Sequence, residues 1–231
     1  MVKIVYLTID DGPSRYAKRK IDYLVSKEMP AIWFCRGDNL EKRPELGIYL
    51  IKHGFILGNH TYNHPHFSKL PLEECLEQIK KTDEMIDNLY KQAGIKRPAK
   101  VFRFSYGDKG GGDNFQSLQD FLKKSGYSQP KFKGINYKWF DDAGLLKDVD
   151  VYWTYDVMEW AIDGLYVRYI KTPKDVFKRM EENVPEGGRG LNFQGSNEII
   201  LLHDHIRTTK LFFKIMDKLI GKKLTFRLPD L

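Results

Sequence analysis

The sequence predicts an α/β protein built on a largely parallel sheet, and two observations carry that reading. Short apolar, β-branched runs bounded by turn residues alternate with longer segments of helical pattern, which implies strand–helix–strand crossovers. Titratable and aromatic residues then gather where those apolar runs end, the end at which α/β sheets and barrels build their sites. Periodicity alone does not choose between an open, doubly wound sheet and a closed barrel.

In chain order, VKIVYLTI (2–9) is the first expected strand and RKIDYLVSK (19–27) the first expected helix. PAIWFC (30–35) and GFILGN (54–59) follow as strands on either side of the helical PELGIYLIKHG (44–54). The segment 71–94 shows the clearest helical stripe, with Leu72, Cys75, Leu76, Ile79, Ile86 and Leu89 on one face. KVFRFS (100–105), DVYWTY (150–155), NEIILL (197–202) and KLTFRL (223–228) complete the strands, and 114–126, 173–184 and 207–221 the helices. Two segments break the rhythm, 127–149 (YSQPKFKGINYKWFDDAGLLKDV) and 185–196 (PEGGRGLNFQGS). Long irregular stretches in a compact domain usually serve function, so both are expected to be insertions near a substrate cleft. A chain of 231 residues fits one such domain, spanning 1–231.

Composition excludes several classes. With 42% hydrophobic and 30% charged residues the chain is an ordinary globular protein. The net charge of +7 comes from basic residues interleaved with acidic ones, as in ECLEQIKKTDEMID, which describes a solvated surface and no nucleic-acid footprint. The two cysteines, Cys35 and Cys75, lack CxxC spacing and read as core residues. No apolar run reaches the roughly 20 residues of a membrane span. The start MVKIVYLTID lacks the regions of a signal peptide, so the chain as it stands is expected to be cytoplasmic, or exported with its leader removed. Neither GDKGGGDN nor GGRGLNF completes a phosphate-binding glycine pattern, and no GxSxG or HExxH occurs.

What remains is a constellation at the ends of five predicted strands. The first ends in Asp10 and Asp11, and the strand at 54–59 runs into HTYNHP with His60 and His64. The strand at 100–105 carries Arg103 and leads to Tyr106, DVMEW supplies Asp156, Glu159 and Trp160, and LLHDH supplies His203. His60 and His64 are spaced i, i+4, which would place two imidazoles on one face of a helical turn, and two His with one carboxylate is a common zinc ligand set. Adjacent Asp10 and Asp11 in LTIDDGPS could be no more than a turn, since Asp, Gly and Pro all favour one.

These segments in this order resemble the polysaccharide deacetylase family, also called the NodB homology domain or carbohydrate esterase family 4. LTIDDGP is similar to its TFDDGP, HTYNHP to H(S/T)xxHP, RFSYG to RxPYG, DVMEW to DxxDW and LLHD to LxH, and together they cover nearly the whole chain. The resemblance implies a distorted (β/α) barrel of about seven parallel strands with surrounding helices. It also implies a hydrolase that removes acetyl groups from an N-acetylated glycan or oligosaccharide and releases acetate. Asp11, His60 and His64 would bind a divalent metal ion, most often Zn2+. Asp10 would be the general base, paired with Arg103, and His203 the general acid, its pKa raised by Glu159. The backbone N–H of Tyr106 would meet the oxyanion, and Trp160 and Leu201 would wall the acetyl pocket.

Two positions depart from the family pattern. Ser105 stands where the pattern has proline, which is expected to relax the loop that aims Tyr106. Glu159 stands where it has aspartate, on a stem one methylene longer. His53, His66 and His205 match no motif position and are expected to be bystanders. Amide, formamide or ester hydrolysis of a small molecule on the same fold is the second reading, and an inactive glycan-binding module the third.

Overall fold

The computed structural model describes residues 2–162, 167 and 169–231. Its strands are β1 (Ile4–Gly12), β2 (Ala31–Cys35), β3 (Ile56–Asn59), β4 (Tyr155–Asp156), β5 (Glu198–His203) and β6 (Thr225–Phe226). Its helices are α1 (Ala17–Ser26), α2 (Gly37–Lys42), α3 (Pro44–Lys52), α4 (Leu72–Ala93), α5 (Gly112–Lys124), α6 (Lys138–Asp142), α7 (Pro173–Arg179) and α8 (Thr209–Gly221). The strand order is β3-β2-β1-β5-β4, every pairing is parallel, and β6 adds to the start of β1.

Six of the seven expected strands form among the described residues, and β6 keeps only two residues of its run. The run 100–105 makes no ladder. A single bridge joins Asn59 to Phe102, and a 3₁₀ turn at Ser105–Gly107 then takes the chain out of register. The run 150–155 contributes only its last residue, to β4. Hydrogen bonds nevertheless pass from Arg103 N to Asn59 O, from Val151 N to Phe102 O and from Thr154 N to Ile199 O, at 2.8 to 3.1 Å. They carry the sheet from β3 round to β5 and close a distorted α/β barrel.

Alternation along the strands splits the apolar residues between two layers. Leu7, Ile9, Trp33 and Leu57 face outward onto Ile21 of α1, Leu50 of α3 and Ile215 of α8. Tyr6, Ile32, Phe34, Ile56, Val101 and Ile199 face inward. On α4 the expected stripe is buried at Cys75, Ile79, Ile86 and Leu89, and Gly94 ends the helix at φ 69°, where glycine carries no Cβ penalty. Both cysteines are free and buried.

The two irregular segments are not at the cleft. Phe132, Tyr137 and Phe140 of 127–149 join the inward core, and the Tyr6 hydroxyl bonds the Lys133 backbone. Gly190 and Phe193 of 185–196 accept from Lys3 Nζ at 2.8 and 2.6 Å. Lys3 precedes Asp10 by seven residues of extended chain, about 23 Å. The segments therefore plug the end of the barrel opposite the titratable cluster. Their aromatic side chains gain more by filling an open barrel end than by lining a wet cleft.

Candidate active site

In a regular strand Asp10 and Asp11 would point to opposite faces. Here the β1–β2 register slips between Asp10 and Gly12, and Asp11 takes φ 67°. This bulge turns both carboxylates toward one point. Asp10 Oδ2 and Asp11 Oδ1 lie 3.5 and 3.8 Å from the same atom, His60 Nε2. Asn39 Nδ2 holds the bulged carbonyl of Asp11 at 2.8 Å.

The carboxylates then part company. Asp10 Oδ1 accepts from Arg103 Nη1 at 2.8 Å. Arg103 is buried in the barrel, where it also bonds Thr8 Oγ1 and the Val151 carbonyl and lies over the Phe34 ring. Asp11 Oδ1 faces His64 Nε2 at 3.2 Å, and Asp11 Oδ2 meets His205 Nε2 at 2.8 Å.

His60 and His64 are not on a helical turn. They are joined by a loop in which Thr61 and His64 both have positive φ, at 64° and 63°. Gln78 Oε1 from α4 accepts from Tyr62 N and Asn63 N, so the loop is pinned from outside. His60 Nδ1 bonds the Arg103 carbonyl at 2.8 Å, which leaves Nε2 for the site.

Ser105 overturns the expectation of a relaxed loop. It is buried, and its hydroxyl pairs with Thr61 Oγ1 at 2.8 Å, lashing the Tyr106 loop to the histidine loop. Tyr106 follows at φ 59°, its ring stacked on His66 at 3.9 Å and set edge-on to His64.

The opposite wall is His203, Trp160 and Leu201. Met158, at φ 63°, turns the chain into a 3₁₀ segment that brings buried Glu159 beneath β5. Glu159 Oε1 accepts from both the backbone and Nδ1 of His203, at 2.5 and 3.1 Å, so the longer stem still reaches. Asp156 accepts from Met158 N and Trp160 Nε1, fixing the indole. The cleft between these walls, about 570 Å³, is lined by Asp10, Asp11, His60, His64, Tyr106, Trp160, Leu201 and His203 among others. Arg103 and Glu159 stand behind it.

Seven non-glycine residues among those described have positive φ; three of them, Asp11, His64 and Tyr106, line this cleft, and Thr61 and Met158 adjoin His60 and Glu159 in the chain. At ~1 kcal/mol or more each, such strain persists only where the surrounding contacts impose it, and it gathers at functional sites.

The electrostatics separate the titratable groups. Burial works against the Asp11 charge, but the His205 hydrogen bond and the neighbouring imidazoles offset it and hold this carboxyl well below its usual range. Burial, reinforced by His60, lowers His64 to about 4, so its ring is neutral at pH 7. Burial would also lower His203, yet the Glu159 charge and hydrogen bond overcome it and raise His203 to about 10.

Asp11, His60 and His64 each offer one ligand atom, all within 4.8 Å of one another. Asp11 Oδ1 is buried without a hydrogen-bond partner, His60 presents Nε2, and His64 is neutral. Ligand atoms about 2.0–2.1 Å from a tetrahedral ion stand about 3.3 Å apart. The donor set therefore fits a divalent metal. A second cluster, Asp156, Glu159 and His203, fits less well because its oxygens are mostly occupied by N–H donors.

The sequence reading set His205 aside as a bystander and gave Asp156 no role of its own. His205 lies two residues past His203, outside any motif, and only the approach of β5 to β1 brings it to Asp11. Asp156 could have been found, since DVMEW places it four residues before the indole it holds.

A family model for polysaccharide deacetylase matches residues 2–128. The chain belongs to the polysaccharide deacetylase family. It is 27% identical over 224 residues to peptidoglycan-N-acetylmuramic acid deacetylase PdaC of Bacillus subtilis, covering 96% of this chain and 36% of that protein. It is 37% identical over 86 residues to peptidoglycan-N-acetylglucosamine deacetylase of Bacillus cereus, covering 37% of this chain and 31% of that one. The chain thus spans about a third of these curated relatives. The solved structure of PdaC superposes with a TM-score of 0.65 at 25% identity over 97% of this chain and 87% of that one. A Bacillus anthracis chain described as a pseudoenzyme of carbohydrate esterase family 4 shares the fold at TM-score 0.62 and 19% identity, so fold alone does not carry activity.

Proposed function

We propose that this chain is a metal-dependent deacetylase that hydrolyses the acetamido group of an N-acetylated sugar or glycan to a free amine and acetate. The observation that carries the reading is the bulge at Asp11. It aims two adjacent carboxylates at one point while giving each a different partner, Arg103 for Asp10 and the histidines for Asp11.

Asp11, His60 and His64 would hold the ion, and two imidazoles with one carboxylate suit zinc. A divalent ion held there would supply Lewis acidity toward the acetyl carbonyl and the attacking water. Asp10, oriented by the Arg103 hydrogen bond, takes the proton of the attacking water. The Tyr106 N–H donates to the oxyanion of the tetrahedral intermediate. His203 is charged at neutral pH and therefore has a proton to give to the departing amine nitrogen. Trp160 and Leu201 bound the acetyl methyl. The names of the peptidoglycan deacetylases and the family match support the same substrate class.

The test pairs metal content with acetate release from N-acetylglucosamine oligomers and peptidoglycan fragments. About one zinc per chain and acetate release that stops on chelation are expected. Folded protein that releases acetate without metal would overturn the ligand assignment. His64→Ala is expected to lose the metal before it loses the fold.

A further inference from the structure

A second cleft of about 520 Å³ opens beside the catalytic pocket and shares Asp11, Arg36, His205 and Arg207 with it. Three guanidinium groups border it: Arg36 after β2, Arg43 between α2 and α3, and Arg207 beyond β5.

The carboxylates in its lining are committed elsewhere. Asp204 is buried, with Lys20 Nζ and Ser14 Oγ on one oxygen at 2.6 and 2.9 Å and Ser14 N on the other at 2.6 Å. Asp11 turns Oδ1 toward the His60–His64 pair and gives Oδ2 to His205. Arg36 is braced by a two-point pair with Asp38, at 3.0 and 2.7 Å, which fixes its position at the rim. Arg43 is half-buried, and among the described residues its hydrogen-bond partner is the neutral Asn39 Oδ1 at 3.4 Å. A neutral sugar laid over this wall would take Arg43 from water without giving its charge a partner. A guanidinium fork matches a carboxylate or a phosphate.

We propose that this cleft is a subsite for an anionic substituent, carboxylate or phosphate, on the sugar next to the one being deacetylated or on that sugar itself. The proposal deepens the deacetylase reading and rests on it for the sugar, while the anion preference rests on the arginines alone.

The experiment measures affinity by calorimetry in the presence of zinc, on the Asp10→Asn protein so that nothing turns over. Three ligands are compared: the neutral disaccharide of N-acetylglucosamine, the disaccharide carrying N-acetylmuramic acid with its carboxylate, and N-acetylglucosamine phosphate. At least one anionic ligand is expected to bind about tenfold more tightly than the neutral one. That preference should shrink as salt is raised. Whichever anion is preferred identifies the source. Arg43→Ala should remove most of the preference and leave affinity for the neutral disaccharide unchanged, and Arg43→Lys should restore part of it. Equal affinity for neutral and anionic ligands, or an Arg43→Ala protein weakened equally toward both, would overturn the subsite. Absence of acetate release by the wild-type protein, with the binding preference intact, would instead overturn the deacetylase reading.

Discussion

The two ends of β1 each bury charge, and they bury it differently. At the start of the strand Lys3 Nζ gives all three protons, to Gly190 O, Phe193 O and Glu198 Oε1. Glu198 in turn accepts from Tyr137 OH and, on its other oxygen, from Thr154 Oγ1 at 2.5 Å. At the far end Asp11 Oδ1, Arg103 Nη2 and Glu159 Oε2 are buried without hydrogen-bond partners. A saturated cluster is what stability asks for, since every unmade bond in the interior costs free energy. An unsaturated, strained one is tolerated where atoms must stay available to a ligand. Unsatisfied buried atoms also occur away from the cleft, at Arg97 and Thr82 among others, so the difference teaches that neither buried charge nor a missing partner marks function alone, and that their coincidence with backbone strain does.

The comparison breaks most sharply at Asp10. Asp10→Asn should retain metal and lower acetate release about a thousandfold. Activity near wild type would mean that the open end does not depend on this carboxylate. At the other end, Glu198→Ala strands the Lys3 ammonium and should cost about 3 kcal/mol in urea unfolding. Acetate release per folded molecule should be unchanged, and a drop there would erase the contrast between the two ends.

A third measurement follows the pH dependence of the metal-free protein. His203 titrates near 10 when folded against an ordinary 6.5, so proton binding favours the folded form. That contribution is complete below about 6.5 and is lost as pH rises through about 10. Glu159→Gln should lower the His203 titration observed by NMR and flatten stability across this window. An unmoved titration would assign the shift to another group. The smallest effect is expected at His205. His205→Ala frees Asp11 Oδ2 and should weaken zinc affinity about tenfold, measured by chelator competition, with His205→Gln restoring part of it. Unchanged affinity would make His205 a bystander after all.

Much of this was legible in residue order. The alternation of β-branched runs with helical stripes gave the α/β class, because buried strands and amphipathic helices impose those patterns locally. Five motifs at strand ends gave the family, and the structure brings Asp10, Asp11, His60, His64, His203, Trp160, Leu201 and Tyr106 to one cleft with Arg103 and Glu159 behind it. Less legible were the elements whose form depends on distant partners. The run 100–105 has strand composition but ends as an extended segment, because the buried Arg103 and the turn at Ser105 take it off the ladder. The aromatic segment 127–149 looked like a cleft wall and became a barrel plug.

LTIDDGPS shows where the division falls. Residue order alone supplied two carboxylates beside a Gly-Pro turn, at the end of a mainly apolar strand whose polar groups are Lys3, Tyr6 and Thr8. Only the tertiary structure decided what the pair does, because the bulge at Asp11 exists through its pairing with β2 and the Asn39 hydrogen bond. Without that slip, strand geometry would have sent Asp11 outward among the helices. Likewise no local pattern could bring His205 to Asp11 across 194 residues, or set Ser105 against Thr61. Chemical potential was written locally, and the aim of each group came from contacts that only the closed barrel makes.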